Sequence, residues 1–283
     1  MPISMDHAEK LGPTIARIAV EKAGILKRGV PGVVAPQDDD VLRVIEARAN
    51  AVGAPVIAFG RDFDCYEQNG RLVVQREDRL LDLPLPALIG RHQIMNAGTA
   101  VAAVLTLSAT HSALAIDEAA IEKGLRTVEW PARMQRLLTG PLPDILGNES
   151  ELWLDGGHNP AAGDMLADTL VSFEEKSPKP TFLIVGMMGQ KDALGFLAPF
   201  RGLVRTIYTV PIPGAHEAPH SEGNLAEIAR SAGLSAIARP GIVEALETIA
   251  ALPLGDKRVL ICGSLYLAGH VLALQQGTTA QSN

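Results

Sequence analysis

Near its middle the chain reads Leu152-Trp153-Leu154-Asp155-Gly156-Gly157-His158-Asn159-Pro160, an apolar run that stops at an aspartate and passes through two glycines into His-Asn-Pro. Leu152 to Leu154 have the character of a short buried strand, and the glycines permit a tight turn without a Cβ clash. Asn159 is a good helix N-cap, and Pro160 suits the first helical position. Asp155 therefore falls at the carboxyl end of a strand and His158 just before a helix N-terminus, where open α/β sheets bind ligands. Taken alone, the stretch reads equally well as an ordinary polar turn.

Its surroundings place it in a repeating pattern. Short apolar runs at 152–154, 182–185, 206–210, 236–238 and 259–262 alternate with helical patterns at 161–173, 193–200, 222–232 and 242–251, and 264–274 closes the series. Strand and helix taking turns predict βαβ units, a mostly parallel sheet and helices on both faces. The first half is less regular. A helix is predicted over 6–26, with Leu11, Ile15, Ile18 and Ala19 on one stripe. Strands at 32–35 and 56–59 flank a helix over 40–52, Asn69-Gly70 marks a hairpin within 65–75, and a small-residue helix runs over 93–107. Val128-Glu129-Trp130-Pro131 reads as a boundary. Two domains follow from it, 1–128 and 129–283.

Composition narrows the class. A length of 283 residues suits two domains, and 47% hydrophobic residues imply a packed globular protein. A net charge of −7 without a long basic run, and only 4% aromatic residues, argue against nucleic acid as the main partner. Cys65 and Cys262 stand far apart in no ligand-like spacing, which fits a reducing cytoplasm. No run approaches the ~20 apolar residues of a membrane-spanning helix, and the start has no signal-peptide core.

Six stretches occur in register: "DHAEKLGPTIARIAVEKAGILK" from Asp6, "GRHQIMNAGTAVAA" from Gly90, "WPARMQRL" from Trp130, "LDGGHNPAA" from Leu154, "GMMGQKD" from Gly186 and "GSLYLAG" from Gly263. Together they resemble the bifunctional dihydrofolate synthase/folylpolyglutamate synthases, relatives of the Mur peptidoglycan ligases, over Asp6 to about Leu272. The resemblance implies the remainder of a Mur-ligase-type ATPase domain followed by a Rossmann-like carboxyl-terminal domain. It further implies an ATP- and Mg²⁺-dependent ligase that activates the carboxyl group of dihydropteroate or a folate such as tetrahydrofolate as an acyl phosphate, which L-glutamate then attacks. Such enzymes are usually monomers.

Residue roles follow from the same resemblance. His7 would be a magnesium ligand, although magnesium prefers oxygen and a lone His can simply support a helix end. Lys22 would be carbamylated near the metal, exchanging a repelled cation for a carboxylate-like anion; the plain alternative is a solvated Lys paired with Glu21 or Glu9. Gln93 and Asn96, three apart on one helix face, would meet the adenine, or else cap the helix. Arg133 would reach phosphate, or form an interdomain salt bridge; Ala132 stands beside it where the family usually has Gly. Asp155 would accept from ribose hydroxyls, and His158 would lie beside the nucleotide or the activated carboxyl. Ser264 would bind glutamate's carboxylate or cap the last helix. Lys191-Asp192 resembles a family dipeptide or starts a helix. These tips are expected to face a cleft between the domains.

The 283 residues contain no G-x-x-x-x-G-K-[ST] phosphate loop. The expectation is a truncated ligase lacking the amide cradle for triphosphate, inactive or nearly so by itself. The alternative is a non-catalytic nucleotide- or folate-binding remnant, or a Mur ligase. A first sheet without its opening strands would invite self-association.

Overall fold

The computed structural model describes residues 3–5, 12, 14–76, 79–147, 149–215 and 217–277. The chain divides into two compact units, Met1–Glu129 and Trp130–Asn283.

In the first unit, helix α1 (Ile15–Ala23) precedes β1 (Gly32–Val34), α2 (Asp39–Val52) and β2 (Val56–Ala58), with β1 and β2 parallel. The helix predicted over 6–26 is corrected at both described ends. Gly12 has φ +97°, and Thr14 is extended and caps α1 through its hydroxyl, so the helix starts at Ile15 and closes at Gly24. Asp6 to Leu11 lie outside the described residues. Ala19, Ala23, Val34, Val41 and Ile45 form the small core of this βαβ unit.

The expected hairpin is present as β3 (Phe63–Gln68) and β4 (Arg71–Arg76), with Asn69 at φ 53° and Gly70 at φ 74°, the two left-handed residues that a primed turn requires. A third antiparallel strand, β5 (Arg79–Pro84), and helix α4 (Glu118–Thr127) are additions that the sequence reading passes over. The long helix α3 (Arg91–Thr110) lies against β3 so closely that a Cβ on Gly98 would overlap the Cys65 side chain.

The second unit is a six-stranded sheet in the order β10-β9-β8-β11-β7-β6. Its parallel strands are β7 (Glu151–Leu154), β8 (Thr181–Val185), β9 (Thr206–Thr209), β10 (Ala236–Ala238) and β11 (Arg258–Cys262). Every residue of β7, β8 and β11 is buried, as expected of central strands covered on both faces. The edge strand β6 (Gln135–Leu137) alone runs antiparallel, pairing Gln135 with Leu154. That reversal brings the loop before β6 to the carboxyl end of the parallel strands.

The layers are α5 (Pro141–Leu146), α6 (Pro160–Lys176), α7 (Ala193–Leu197), α8 (Glu222–Ser231), α9 (Ile242–Ala250) and α10 (Leu265–Gln275). Leu154, Ile184, Val259 and Ile261 pack with Leu246, Ile249 and Val271 in one core. A Cβ on Gly163 of α6 would run into the Phe196 backbone carbonyl of α7. Gly163→Ala is therefore expected to destabilise by about 1–3 kcal/mol, because overpacking against backbone outweighs the gain of up to about 1 kcal/mol in helix propensity. A thermal melt that moved upward would contradict this.

At the amino end of the sheet a buried ion network ties β7, β11 and α6 together. The Arg258 guanidinium, 1% exposed, donates from Nε to Glu151 Oε2 at 2.9 Å and from Nη2 to the Ser177 carbonyl at 2.9 Å, and lies over the Phe173 ring. Trp153 Nε1 and Lys179 Nζ also reach the Glu151 carboxylate, each at 3.1 Å. Burial by itself would raise the Glu151 pKa, but hydrogen bonds from Arg258, Trp153 and Lys179 outweigh it and hold it at about 2.

Candidate functional site

Three chain segments meet at the carboxyl end of the central strands of the second unit. One is the turn after β7, Asp155 to His158. Asn159 caps α6 by accepting from Ala162 N at 2.9 Å, with Pro160 at the first helical position, as the sequence implies. The second is the turn after β11, where Gly263 at φ 106° donates its N–H to the Gly157 carbonyl at 2.9 Å. The third is the loop 131–134 that enters β6.

Asp155 organises this meeting. It is 7% exposed, and both carboxylate oxygens accept from backbone amides: Oδ2 from Met134 N at 2.8 Å, and Oδ1 from Gly157 N at 2.7 Å. Burial raises its pKa above the usual carboxylate value, against the pull of those two amides and of the Arg133 and His158 charges. The carboxylate therefore fastens two loops to the strand end, and only its remaining lone pairs can serve an incoming hydroxyl.

His158 is half-buried, with Nδ1 2.9 Å from the Gly156 carbonyl. An Nδ1–H donated to that carbonyl would fix the ring's orientation, with Nε2 on its opposite edge. Arg133 Nη1 lies 3.6 Å from the point where a Gly156 Cβ would stand, and the Leu265 side chain covers that same point. A side chain at Gly156 would have to push the exposed Leu265 side chain aside. Ser264 is 3% exposed and accepts from Tyr266 N at 3.1 Å, so the capping alternative is the one its hydroxyl realises here. Asp192, beside Lys191, caps α7 by accepting from Gly195 N at 2.8 Å.

The loop that carries Arg133 has an unusual backbone. Ala132 (φ 55°) and Met134 (φ 41°) are both left-handed, although neither is glycine. The family's usual Gly in place of Ala132 fits this conformation. Ala132→Gly is expected to be near neutral, within about 0.5 kcal/mol. Relief of about 1–2 kcal/mol of left-handed strain is offset by greater unfolded-chain entropy and the lost buried methyl. Ala132→Val should cost about 2 kcal/mol or more, because a β-branched residue is excluded from that region and the site is packed. Urea titrations of both variants give the comparison.

In the first unit, Gln93 is 6% exposed and its Oε1 accepts from Asn96 Nδ2 at 3.0 Å. The bond fixes the orientation of both amides. It leaves Asn96 with Oδ1 and a second Nδ2 hydrogen, the acceptor–donor pair that an adenine edge matches. Lys22 is exposed on the last turn of α1 and lines a groove with Leu26, Val33 and Ile45. His7 lies outside the described residues. Among the described residues no group of three or more His, Cys, Asp or Glu side chains is disposed to hold a metal ion. No described helix is long and apolar enough to cross a membrane.

A family model described as "Dihydrofolate synthetase, C-terminal domain" matches residues 141–274, the span that contains the strand-end turns just described. The chain matches the carboxyl-terminal part of the dihydrofolate/folylpolyglutamate synthases. It is 29% identical to the folylpolyglutamate synthase of Lacticaseibacillus casei over 95% of this chain and 59% of that relative. The dihydrofolate synthase/folylpolyglutamate synthase of Escherichia coli is 26% identical over 95% of this chain and 58% of its own. Among solved structures, the Yersinia pestis bifunctional enzyme complexed with AMPPNP and Mn ion superimposes with a TM-score of 0.78 at 28% identity, covering 96% of this chain and 59% of that one. The chain thus spans about three fifths of the length of the relatives it matches. The mostly parallel α/β sheet of the second unit agrees with the architecture expected from the alternating pattern.

Sequence reasoning singled out Asp155 and His158, which share the turn after β7, and Arg133 on the loop beside it, but it did not single out Met134 or Gln135. The one signal for them was Ala132 in a position where glycine is usual.

Proposed function

We propose that this chain supplies nucleotide-handling elements of an ATP-dependent ligase that joins L-glutamate to dihydropteroate or a folate. The observation that carries the reading is the set Arg133, Gly156 and His158 at the carboxyl edge of a parallel sheet, in a chain matching folylpolyglutamate synthase over 95% of its length. Arg133 would clamp phosphate oxygens by charge-assisted hydrogen bonds at that strand end. His158 would contact the nucleotide or the activated carboxyl through Nε2. Asn96 would read the adenine edge, oriented by Gln93. ATP supplies the phosphoryl group that turns a carboxylate into a good acyl donor, with a divalent metal to balance phosphate charge. Lys22, as a carbamate, and His7 are the proposed contributors to that metal site.

Calorimetric titration of the chain with ADP and Mg²⁺ tests the reading. Binding that weakens at least about tenfold in Arg133→Ala supports it, as expected for one lost charge-assisted contact. No binding by the unaltered chain overturns it. Glutamate-dependent phosphate release with dihydropteroate or tetrahydrofolate is expected to stay near background for these 283 residues, which lack the glycine-rich phosphate loop. Release well above background would refute that expectation.

A further inference from the structure

Arg133 sits between two left-handed residues, Ala132 and Met134, neither of which is glycine. Such backbone disfavours itself and persists only where its surroundings enforce it, a pattern that concentrates at functional positions. Three hydrogen bonds do the enforcing. Met134 N donates to Asp155 Oδ2, Gly156 N donates to the Ala132 carbonyl at 2.9 Å, and Ala132 N donates to Gln135 Oε1 at 3.0 Å. Each fastens the loop to a different anchor: a buried carboxylate, the strand-end turn, and the first residue of β6.

We propose that Gln135 is a positioning residue, whose side-chain carbonyl on the Ala132 amide holds the strained loop and so sets the Arg133 guanidinium beside Gly156. β6 pairs with β7 through Gln135 and Leu154, so the anchor is itself fixed to the strand that ends in Asp155. Without that acceptor the Ala132 amide loses its partner, and the loop can relax toward ordinary right-handed or extended backbone, carrying Arg133 away from the turn. The guanidinium would then have to be ordered again on each binding event, at the expense of affinity. Asp155 clamps the far side of the same loop. The proposal rests on the reading of Arg133 as a phosphate contact.

The test compares the full chain with Gln135→Ala, Gln135→Glu, Arg133→Ala and the Gln135→Ala/Arg133→Ala pair, titrated with ADP and with adenosine. Gln135→Ala is expected to weaken ADP about tenfold and leave adenosine unchanged, since only the phosphate contact is disturbed. The double variant should be no weaker than Arg133→Ala alone, the non-additivity of a residue acting through another. Gln135→Glu, whose carboxylate can accept from the same amide, should retain most of the affinity. In parallel, trypsin should cut after Arg133 faster in Gln135→Ala than in the unaltered chain, by more than the lowered unfolding midpoint accounts for. Unaltered ADP affinity, a loss additive with Arg133→Ala, or an unchanged rate of cleavage after Arg133 would each overturn the proposal. If the unaltered chain binds no ADP, the nucleotide reading fails, and the proteolysis still decides whether Gln135 holds the loop.

Discussion

Replacing Arg258 by alanine is expected to lower the stability of the second unit by about 3–5 kcal/mol, the range for removing one partner of a buried ion pair. The cause is less the lost attraction than the carboxylate left behind. Glu151 would keep Trp153 and Lys179 as donors, but lose the guanidinium that is 1% exposed and 2.9 Å away. The Ser177 carbonyl and the face of Phe173 would lose their neighbour as well. Arg258→Met, which refills the volume without charge, should be as harmful or worse unless paired with Glu151→Gln, because the buried acid is again uncompensated. The double variant should recover much of the loss. Urea unfolding followed by Trp153 fluorescence measures this, and a loss below about 1 kcal/mol for Arg258→Ala would show that solvent reaches the network.

The same network predicts acid sensitivity. With its folded pKa at about 2 against 4.5 ordinarily, Glu151 contributes stability that is complete above about pH 4.5. That stability fades as the pH falls toward about 2. The contribution is about 3 kcal/mol, and Glu151→Gln should flatten stability across that window.

Asp155→Ala is the second large effect. Its two oxygens are the acceptors for the Met134 and Gly157 amides, which would be left without partners in a buried turn, at about 1–3 kcal/mol each. A total destabilisation of about 2–5 kcal/mol is expected. Asp155→Asn supplies one carbonyl but turns an N–H₂ toward the other amide, so it should recover only part. Because the folded pKa of Asp155 is raised, the stability from this carboxyl is greatest below pH 3.8 and declines as the pH rises through the folded value, opposite in sense to Glu151. Hydrogen exchange at the Met134 and Gly157 amides would locate the damage. Exchange there at the rate of the unaltered chain would mean that water or another group replaces the carboxylate.

Much of the second unit was legible because its strands are continuous apolar runs between turn residues. β8 and β11 differ from their predicted spans by a single residue, Thr181 and Arg258, and β10 falls on its predicted span. Those extra residues are polar, which is why an apolar criterion stopped short of them. The predicted helix does not run unbroken through Gly12 and Thr14, because an amphipathic stripe carries no information about a left-handed glycine or a capping hydroxyl. β6 escaped notice because three residues at a sheet edge, with burial only at Leu137, leave no periodic signature.

The sequence by itself determined the alternation of strand and helix, the strand-end position of Asp155 and His158, and the capping of α6 by Asn159. All three are local consequences of apolar periodicity, glycine freedom and side-chain hydrogen bonding to the next few amides. Tertiary structure alone decided that Asp155 faces inward to two amides, that Gln135 braces the Arg133 loop, and that Arg258 meets Glu151 across 107 positions of sequence. Those outcomes depend on which strand lies beside which, and above all on the antiparallel return of β6. Sheet order is set by burial summed over the whole unit, so no short stretch of sequence contains it.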